Sequence, residues 1–317
     1  MMWKGIIPFL ILPVVAGADV LPLDTALRAT YTACVGIDQE LTELKKMAGI
    51  TTAVTGVGTG LGAGALAAGI AKAKIDAGLK QKFNKMVDTA NVYQGEDPTE
   101  QEKQSFLASF KADLQKNSSS LAPNKTRAES DNAQDLIAKS KSLGNWRTGL
   151  LAGNTATNIA GAVLAGKNKV DKDLQNQINT CKTSVKNLRD SIVQARMDGL
   201  DVTEADEIAT VCGEYDYVDV SKINKRGTGA LVSSVVGATT GVAGTVTSAV
   251  ANSSGVRQDD DYANKDWDRE RKINTAANVL SGASAAASAT ATVFNATQIT
   301  AIKKVAAVAE KCTGVLQ

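Results

Sequence analysis

The chain contains no histidine, so the commonest general base and the commonest metal ligand are both missing. That excludes a Ser-His-Asp or Cys-His nucleophile. Three other patterns carry residue types found in sites. Gly161 to Lys167 reads GAVLAGK, which matches a phosphate loop to its last position, but Asn168 stands where Ser or Thr would hold magnesium. Gly58-Thr59-Gly60-Leu61-Gly62-Ala63 fits a loose dinucleotide pattern, but it lies inside a longer glycine series. Asp259, Asp260, Asp261, Asp266, Asp268 and Glu270 form an acidic cluster of the kind extracellular calcium prefers. It lacks the turn glycine of the helix-loop-helix calcium motif, and it reads as a solvated, helix-capping turn. No Ser/Lys or paired-carboxylate arrangement stands out. The expectation is a protein that is not an enzyme and has no catalytic residue, cofactor or metal.

The four cysteines are the remaining reactive groups. Cys34 precedes an uncharged run that opens near Gly49, and Cys212 stands at the same distance before one that opens at Gly227. Superposing Cys34 on Cys212 also brings Val54 onto Val232 and Val57 onto Val235. A second uncharged run and then a cysteine follow in each half, Cys181 in the first and Cys312 in the second. The order Cys, helix, excursion, helix, Cys therefore occurs twice, as in an internal repeat. If each unit is an antiparallel helical hairpin, its two cysteines meet at the open end, which pairs Cys34 with Cys181 and Cys212 with Cys312. The crossed alternative, Cys34 with Cys212 and Cys181 with Cys312, would tie the repeats together.

These cysteines bracket four uncharged runs: Met47 to Ala71, Thr148 to Gly166, Gly227 to Val256 and Ile273 to Ile302. All are built from Ala, Gly, Thr, Ser and Val. In the first, Ile50, Val54, Val57 and Leu61 are spaced four, three, four, which is a helical stripe; a strand would alternate. Beside it Ala53, Gly56, Gly60 and Gly64 form a small-residue stripe of the kind that lets helix backbones approach closely. Gly149, Gly153, Gly237 and Gly241 play the same expected part in later runs. The five glycines from Gly56 to Gly64 cost a helix on the order of 4 to 5 kcal/mol relative to alanine, which only tight packing could offset. The expected fold is all-α: two tandem Ala/Gly-rich, coiled-coil-like antiparallel hairpins stapled by disulfides. The first spans 19–200 with a helical excursion at 72–146, and the second spans 201–317.

In that excursion Lys72 to Tyr93 continues as charged helix, and Asp97-Pro98 opens another with Phe106, Phe110 and Leu114 on one face. Between the repeats Val185 to Met197 reads as helix and Gly199 ends it. Thr203 with Asp206 resembles a capping box that starts the next. In the second unit the link from Ala251 to Gly255 is short.

Residues 1–18, MMWKGIIPFLILPVVAGA, have an early lysine, an apolar core and a small-residue end at Ala16-Gly17-Ala18. This pattern predicts a cleaved signal peptide and an exported, envelope or extracellular protein. Net charge is +2, which gives no electrostatic footprint for nucleic acid. Aromatic residues make up only 4 %, too few for a core of large side chains. Two settings remain for the runs. Basic residues flank each one and the lengths suit a bilayer, whereas Asn154, Asn158, Asn278 and Asn295 would need partners in hydrocarbon. The pattern resembles glycine-zipper segments of envelope proteins and alanine-rich coiled coils. The favoured expectation is a soluble or peripheral structural component that assembles with copies of itself or with another helical envelope protein through small-residue faces. A glycine-zipper membrane-inserting or pore-forming protein is the alternative, and an enzyme with its site in the 72–146 excursion is the second.

Overall fold

The computed structural model describes residues 20–93, 124–258 and 265–317. The expected signal peptide, the Phe106–Phe110–Leu114 face and Asp259 to Asp261 lie outside the described residues. Among the described residues the secondary structure is helical throughout, with no strand. The long helices are α1 (Leu23–Cys34), α2 (Ile37–Tyr93), α3 (Asn124–Lys167), α4 (Lys172–Met197), α5 (Thr203–Cys212), α6 (Ser221–Ala251) and, after the single turn α7 (Ser254–Arg257), α8 (Trp267–Leu316). A 3-10 turn, Gly213–Tyr217, follows α5.

The chain forms two compact units. Among the described residues, one consists of 20–43, 170–220 and 303–317, the other of 44–93, 124–169, 221–258 and 265–302. Each draws on both halves of the sequence, and both α2 and α8 run through the two units without a break.

The first unit has a conventional core. Ile178, Val185, Leu188 and Ile192 of α4 are buried with Ala26 and Ala33 of α1, Ile37 and Leu41 at the start of α2, and Val305 and Ala309 at the end of α8. The outward face of α4 is mostly polar, with Lys172, Asp173, Gln175, Asn176, Lys186, Arg189 and Asp190 exposed. Its ends are capped locally. Asp171 accepts a hydrogen bond from the Leu174 backbone at 2.8 Å, and Gly199, at φ +75°, turns the chain out as the spacing predicts. At α5 the sequence expectation needs correction. The Thr203 hydroxyl donates to Asp201 Oδ1 at 2.7 Å instead of capping its own helix, while Asp206 faces Arg196 at 3.4 Å.

The second unit is a four-helix bundle. Descending contacts run α2 against α3, from Gly58 on Thr157 through Gly64 on Leu150 to Asp76 on Ser140. Others run α3 against α6, from Gly161 on Ser234 through Gly237 on Asn158 to Thr148 on Ser248. A third series runs α6 against α8, from Gly227 on Gln298 to Gly244 on Leu280, and a fourth runs α8 against α2, from Asn295 on Thr55 to Glu270 on Lys72. Every neighbouring pair is antiparallel. The diagonal pair α3 and α8 is parallel and in contact.

Each bundle helix buries one seam spaced four, three, four, the heptad period of packed helices. On α2 the seam is Thr51, Thr55, Gly58, Gly62, Ala65, Gly69 and Lys72, and on α6 it is Ala230, Ser234, Gly237, Gly241, Gly244 and Ser248. On α2, therefore, the period matches the sequence expectation while the face does not. Ala53 and Gly60 are exposed, and nothing stands within 4 Å of where a Cβ would lie on Gly56, Gly60 or Gly149. Gly64 meets only Leu150, at 3.3 Å, and Gly153 only Leu61, at 3.2 Å at its nearest. Ile50 and Val57, of the larger apolar stripe, are 44 % and 57 % exposed. Gly237 and Gly241 do sit at close helix contacts, the first 2.7 Å from Asn158 Oδ1 measured from a notional Cβ.

Candidate functional site

The bundle's interior is polar. Asn154 of α3 donates to Ser284 Oγ of α8 at 2.8 Å, Asn158 donates to Ser288 Oγ at 2.8 Å, and Gln298 Nε2 of α8 donates to the Asn168 backbone carbonyl at 2.6 Å. All six side chains are fully buried or nearly so. Each pair is separated by 130 residues, so the two parallel helices present matched rungs in constant register. Gly237 and Gly62 make room for the rungs. A Cβ on Gly62 would stand 2.8 Å from Asn154 Nδ2 and 2.9 Å from the Ala285 Cα. Seryl and amide groups in such a core need partners, because an unsatisfied buried group costs about 1–3 kcal/mol. Here they partner one another, and Ser284 also donates to the Gly237 carbonyl at 2.8 Å.

At the end of the bundle that carries Lys72 and Glu270 the axis becomes charged. Arg147 is fully buried and donates from Nε to Ser248 Oγ at 2.7 Å, from Nη2 to Asn274 at 3.0 Å and from Nη1 to Asn278 at 3.2 Å. One turn along, Lys72 Nζ reaches Asp76 at 2.6 Å and Glu270 at 3.0 Å, and Lys265 meets Glu270 at 3.0 Å. Burial alone pushes the Glu270 carboxyl up, but the charges and hydrogen bonds of Lys72 and Lys265 together hold it below its usual range. The described part of the acidic cluster is thus committed to structure. Glu270 sits in this ion network, Asp266 accepts from the Arg269 backbone at 2.9 Å to cap α8, and Asp268 pairs with Lys80 at 3.7 Å.

The exterior is the reverse of the interior. Consider the level of the bundle that spans 50–68 of α2, 148–166 of α3, 229–247 of α6 and 277–295 of α8. Every exposed residue there is Gly, Ala, Val, Ile or Thr. The exposed threonines, Thr239 and Thr290, turn their hydroxyls to the carbonyls of Val235 and Ala286 at 2.9 Å. At 1.5 Å per residue the sleeve is about 28 Å tall. Lys45, Lys46, Lys167, Lys225, Arg226, Lys303 and Lys304 follow it at one end, and Lys141, Arg257, Arg271 and Lys272 at the other.

Both cysteine pairs expected from the hairpin argument are present: Cys34 bonds Cys181 and Cys212 bonds Cys312. The disulfides indicate an oxidising, non-cytoplasmic environment. All four cysteines are buried, and the sulfurs of Cys34, Cys181 and Cys312 lie within 4.8 Å of one another. As disulfides they offer no thiolate to a metal.

The remaining chemistry-like patterns lack the geometry that they need. GAVLAGK and the Gly58 to Ala63 series both lie inside unbroken helix, where backbone N–H groups are consumed by the helix and cannot cradle phosphate. A groove of about 770 Å³ on α3 is lined in part by Lys141, Ser142, Asn145 and Trp146, with no carboxylate among its described lining residues. No protein-family model, curated protein or solved structure matches the chain.

Sequence reasoning missed the polar axis. Its signal was present in Asn154, Asn158, Ser284 and Ser288, which repeat at i, i+4 on two helices, but inward-facing amides contradict the usual assignment of polar residues to solvent.

Proposed function

We propose that this chain is an exported, non-enzymatic structural component of a cell envelope, seated in a bilayer through its four-helix bundle. The observation that carries the reading is the sleeve. A hydrocarbon core is about 30 Å thick, and the bundle offers about 28 Å over which no exposed residue on its four helices is charged or an amide. Two stretches, Leu23–Lys85 and Thr203–Ala251, are long and apolar enough to cross a membrane, and only 28 % of each apolar window is buried. The core helix of a soluble protein would be mostly buried. Helices α3 and α8 fall short by composition because of Asn154, Asn158, Ser281, Ser284 and Ser288, and each of these faces inward. The unit that holds the cysteines has apolar residues inside and mostly polar ones on the outward face of α4, as water requires. A single chain with both arrangements suits an interface between lipid and water.

In this reading the chain is two tandem helical-hairpin repeats, each stapled by its own disulfide, that interleave to close one bundle. The first repeat carries the 72–146 excursion. The axis is filled by side chains, which supports a structural role over an open pore.

A second reading, a soluble or peripheral scaffold, is favoured by the open space over Gly56 and Gly60 beside exposed Ala53. A helix from another copy or from a helical envelope protein would cover that stripe. Alkaline carbonate washing of membranes from cells that express the full chain tests both readings. Retention in the pellet supports the embedded bundle. Release into the supernatant as a folded, helical protein overturns it and leaves the scaffold.

A further inference from the structure

Two buried disulfides seldom share one pocket without consequence, because a thiolate attacks a neighbouring disulfide wherever it can reach one. The sulfurs of Cys34, Cys181 and Cys312 lie within 4.8 Å of one another, although Cys312 is bonded elsewhere, to Cys212. The Cys212 sulfur is not part of that cluster. The four cysteines come from four different helices: α1, α4, α5 and α8. We infer that this cluster is an intramolecular thiol–disulfide exchange site, in which Cys312 can move its covalent tether from Cys212 to Cys34 or Cys181.

The chemistry balances in two steps. A phosphine or dithiol reductant opens Cys212–Cys312, giving two thiols and the oxidised reductant. Cys312 loses its proton, and its thiolate attacks one sulfur of Cys34–Cys181. The Cys312–Cys34 bond forms as the Cys34–Cys181 bond breaks, and the departing Cys181 thiolate takes up a proton; attack at Cys181 releases Cys34 instead. The second step consumes no oxidant or reductant. It leaves α5 without its covalent link to α8 and ties the end of α8 to α1 or α4. Cys212 Sγ lies beyond 4.8 Å from at least one of the other sulfurs, so with Cys312 removed it starts less well placed to attack the Cys34–Cys181 bond. Burial of all four sulfurs keeps the pairing fixed until a reductant opens one bond.

The test is disulfide mapping of the folded full-length chain. The protein is treated with one equivalent of a water-soluble phosphine at pH 8, quenched in acid, alkylated and digested for mass spectrometry. The expected result is that singly reduced molecules include Cys312 joined to Cys34 or to Cys181, and that this species is lost when the reaction is held at pH 5, where thiolate is scarce. Singly reduced molecules that contain only Cys34–Cys181 or Cys212–Cys312 overturn the inference. Two variants provide the same test without reductant. C212A frees Cys312 and should yield the Cys312 cross-links, whereas C312A frees Cys212 and should keep Cys34–Cys181 alone. Equal scrambling in both, with helical circular dichroism lost, assigns exchange to the unfolded chain and overturns the site. So does native pairing in both. The readout does not depend on where the protein resides, so it is separable from the membrane reading.

Discussion

Asn154 Nδ2 donates to Ser284 Oγ at 2.8 Å, while Asn154 Oδ1 accepts from Asn158 Nδ2 at 2.9 Å and lies 3.0 Å from Ser288 Oγ. One amide thus joins two helices and two successive turns at the centre of the bundle. Asn154→Ala strips partners from Ser284, Asn158 and Ser288 together. The expected loss is about 1–2 kcal/mol, between the cost of an orphaned buried group and the smaller values found for hydrogen bonds between membrane helices. Thermal unfolding in detergent, compared with Ala152→Ser on the exposed face, measures it. A variant as stable as the parent would show that the rungs contribute no net stability.

Two glycines two residues apart, on opposite faces of α2, should respond in opposite directions. A Cβ on Gly60 meets nothing within 4 Å, so Gly60→Ala gains up to about 1 kcal/mol of helix propensity. A Cβ on Gly62 would stand 2.9 Å from the Ala285 backbone, which cannot move without shifting α8. Gly62→Ala should therefore cost about 1–3 kcal/mol. Melting temperatures of the two variants check the assignment of the inner face, and a reversed order would restore the face expected from sequence.

The ion network around Glu270 makes stability depend on pH in a defined sense. The folded state holds this carboxyl below its unfolded value, so its contribution is complete above about pH 4.3 and is lost as pH falls through the depressed folded value. An acid titration of the parent should show that loss. Glu270→Gln should flatten this limb and lower stability at neutral pH by about 3 kcal/mol, since it leaves Lys72 and Lys265 without their shared carboxylate. An unchanged acid limb would remove Glu270 from the account.

Valines of the sleeve discriminate lipid from water. Val235 is 49 % exposed and Val57 is 57 % exposed. A lysine at either site is harmless on a water-facing helix, whereas near the centre of a membrane span it costs about 2.5–3.5 kcal/mol of insertion. Val235→Lys and Val57→Lys should therefore reduce the carbonate-resistant fraction, whereas a lysine at exposed Asn176 on α4 should not. Equal partitioning of all three would locate the sleeve outside the bilayer.

Removing one staple should be costly in proportion to the loop it closes. Cys34 and Cys181 are separated by 147 residues, and losing that link restores roughly 4–5 kcal/mol of chain entropy to the unfolded state on the loop-closure estimate. The double variant Cys34→Ala/Cys181→Ala should unfold at markedly lower denaturant than the parent. A midpoint equal to that of the parent would show that the rest of the fold holds the two helices together unaided.

The sequence by itself determined the helical class, the four-three-four period of the first run and the positions of the four uncharged runs, and it favoured the observed pairing of the cysteines over the crossed one. Each of these follows from local composition, spacing or chain order. Ile50 and Thr51 show where that reasoning stops. Both belong to stripes with the same heptad period, one residue out of phase, so periodicity alone cannot say which faces the partner helix. Burying the larger apolar stripe is the better choice in water, and it would place Ile50, Val54 and Val57 inside. Tertiary structure selected the other stripe. Glycine, alanine and serine on four helices let the backbones approach closely, and the amides of Asn154 and Asn158, besides bonding one another, find their seryl partners on a helix 130 residues away. A single helix contains no information about that partner. The adjacency of Cys312 to the Cys34–Cys181 bond was hidden for the same reason. Spacing along the chain favoured one of two pairings, and the packing of α1, α4, α5 and α8 decided it and brought the two bonds together.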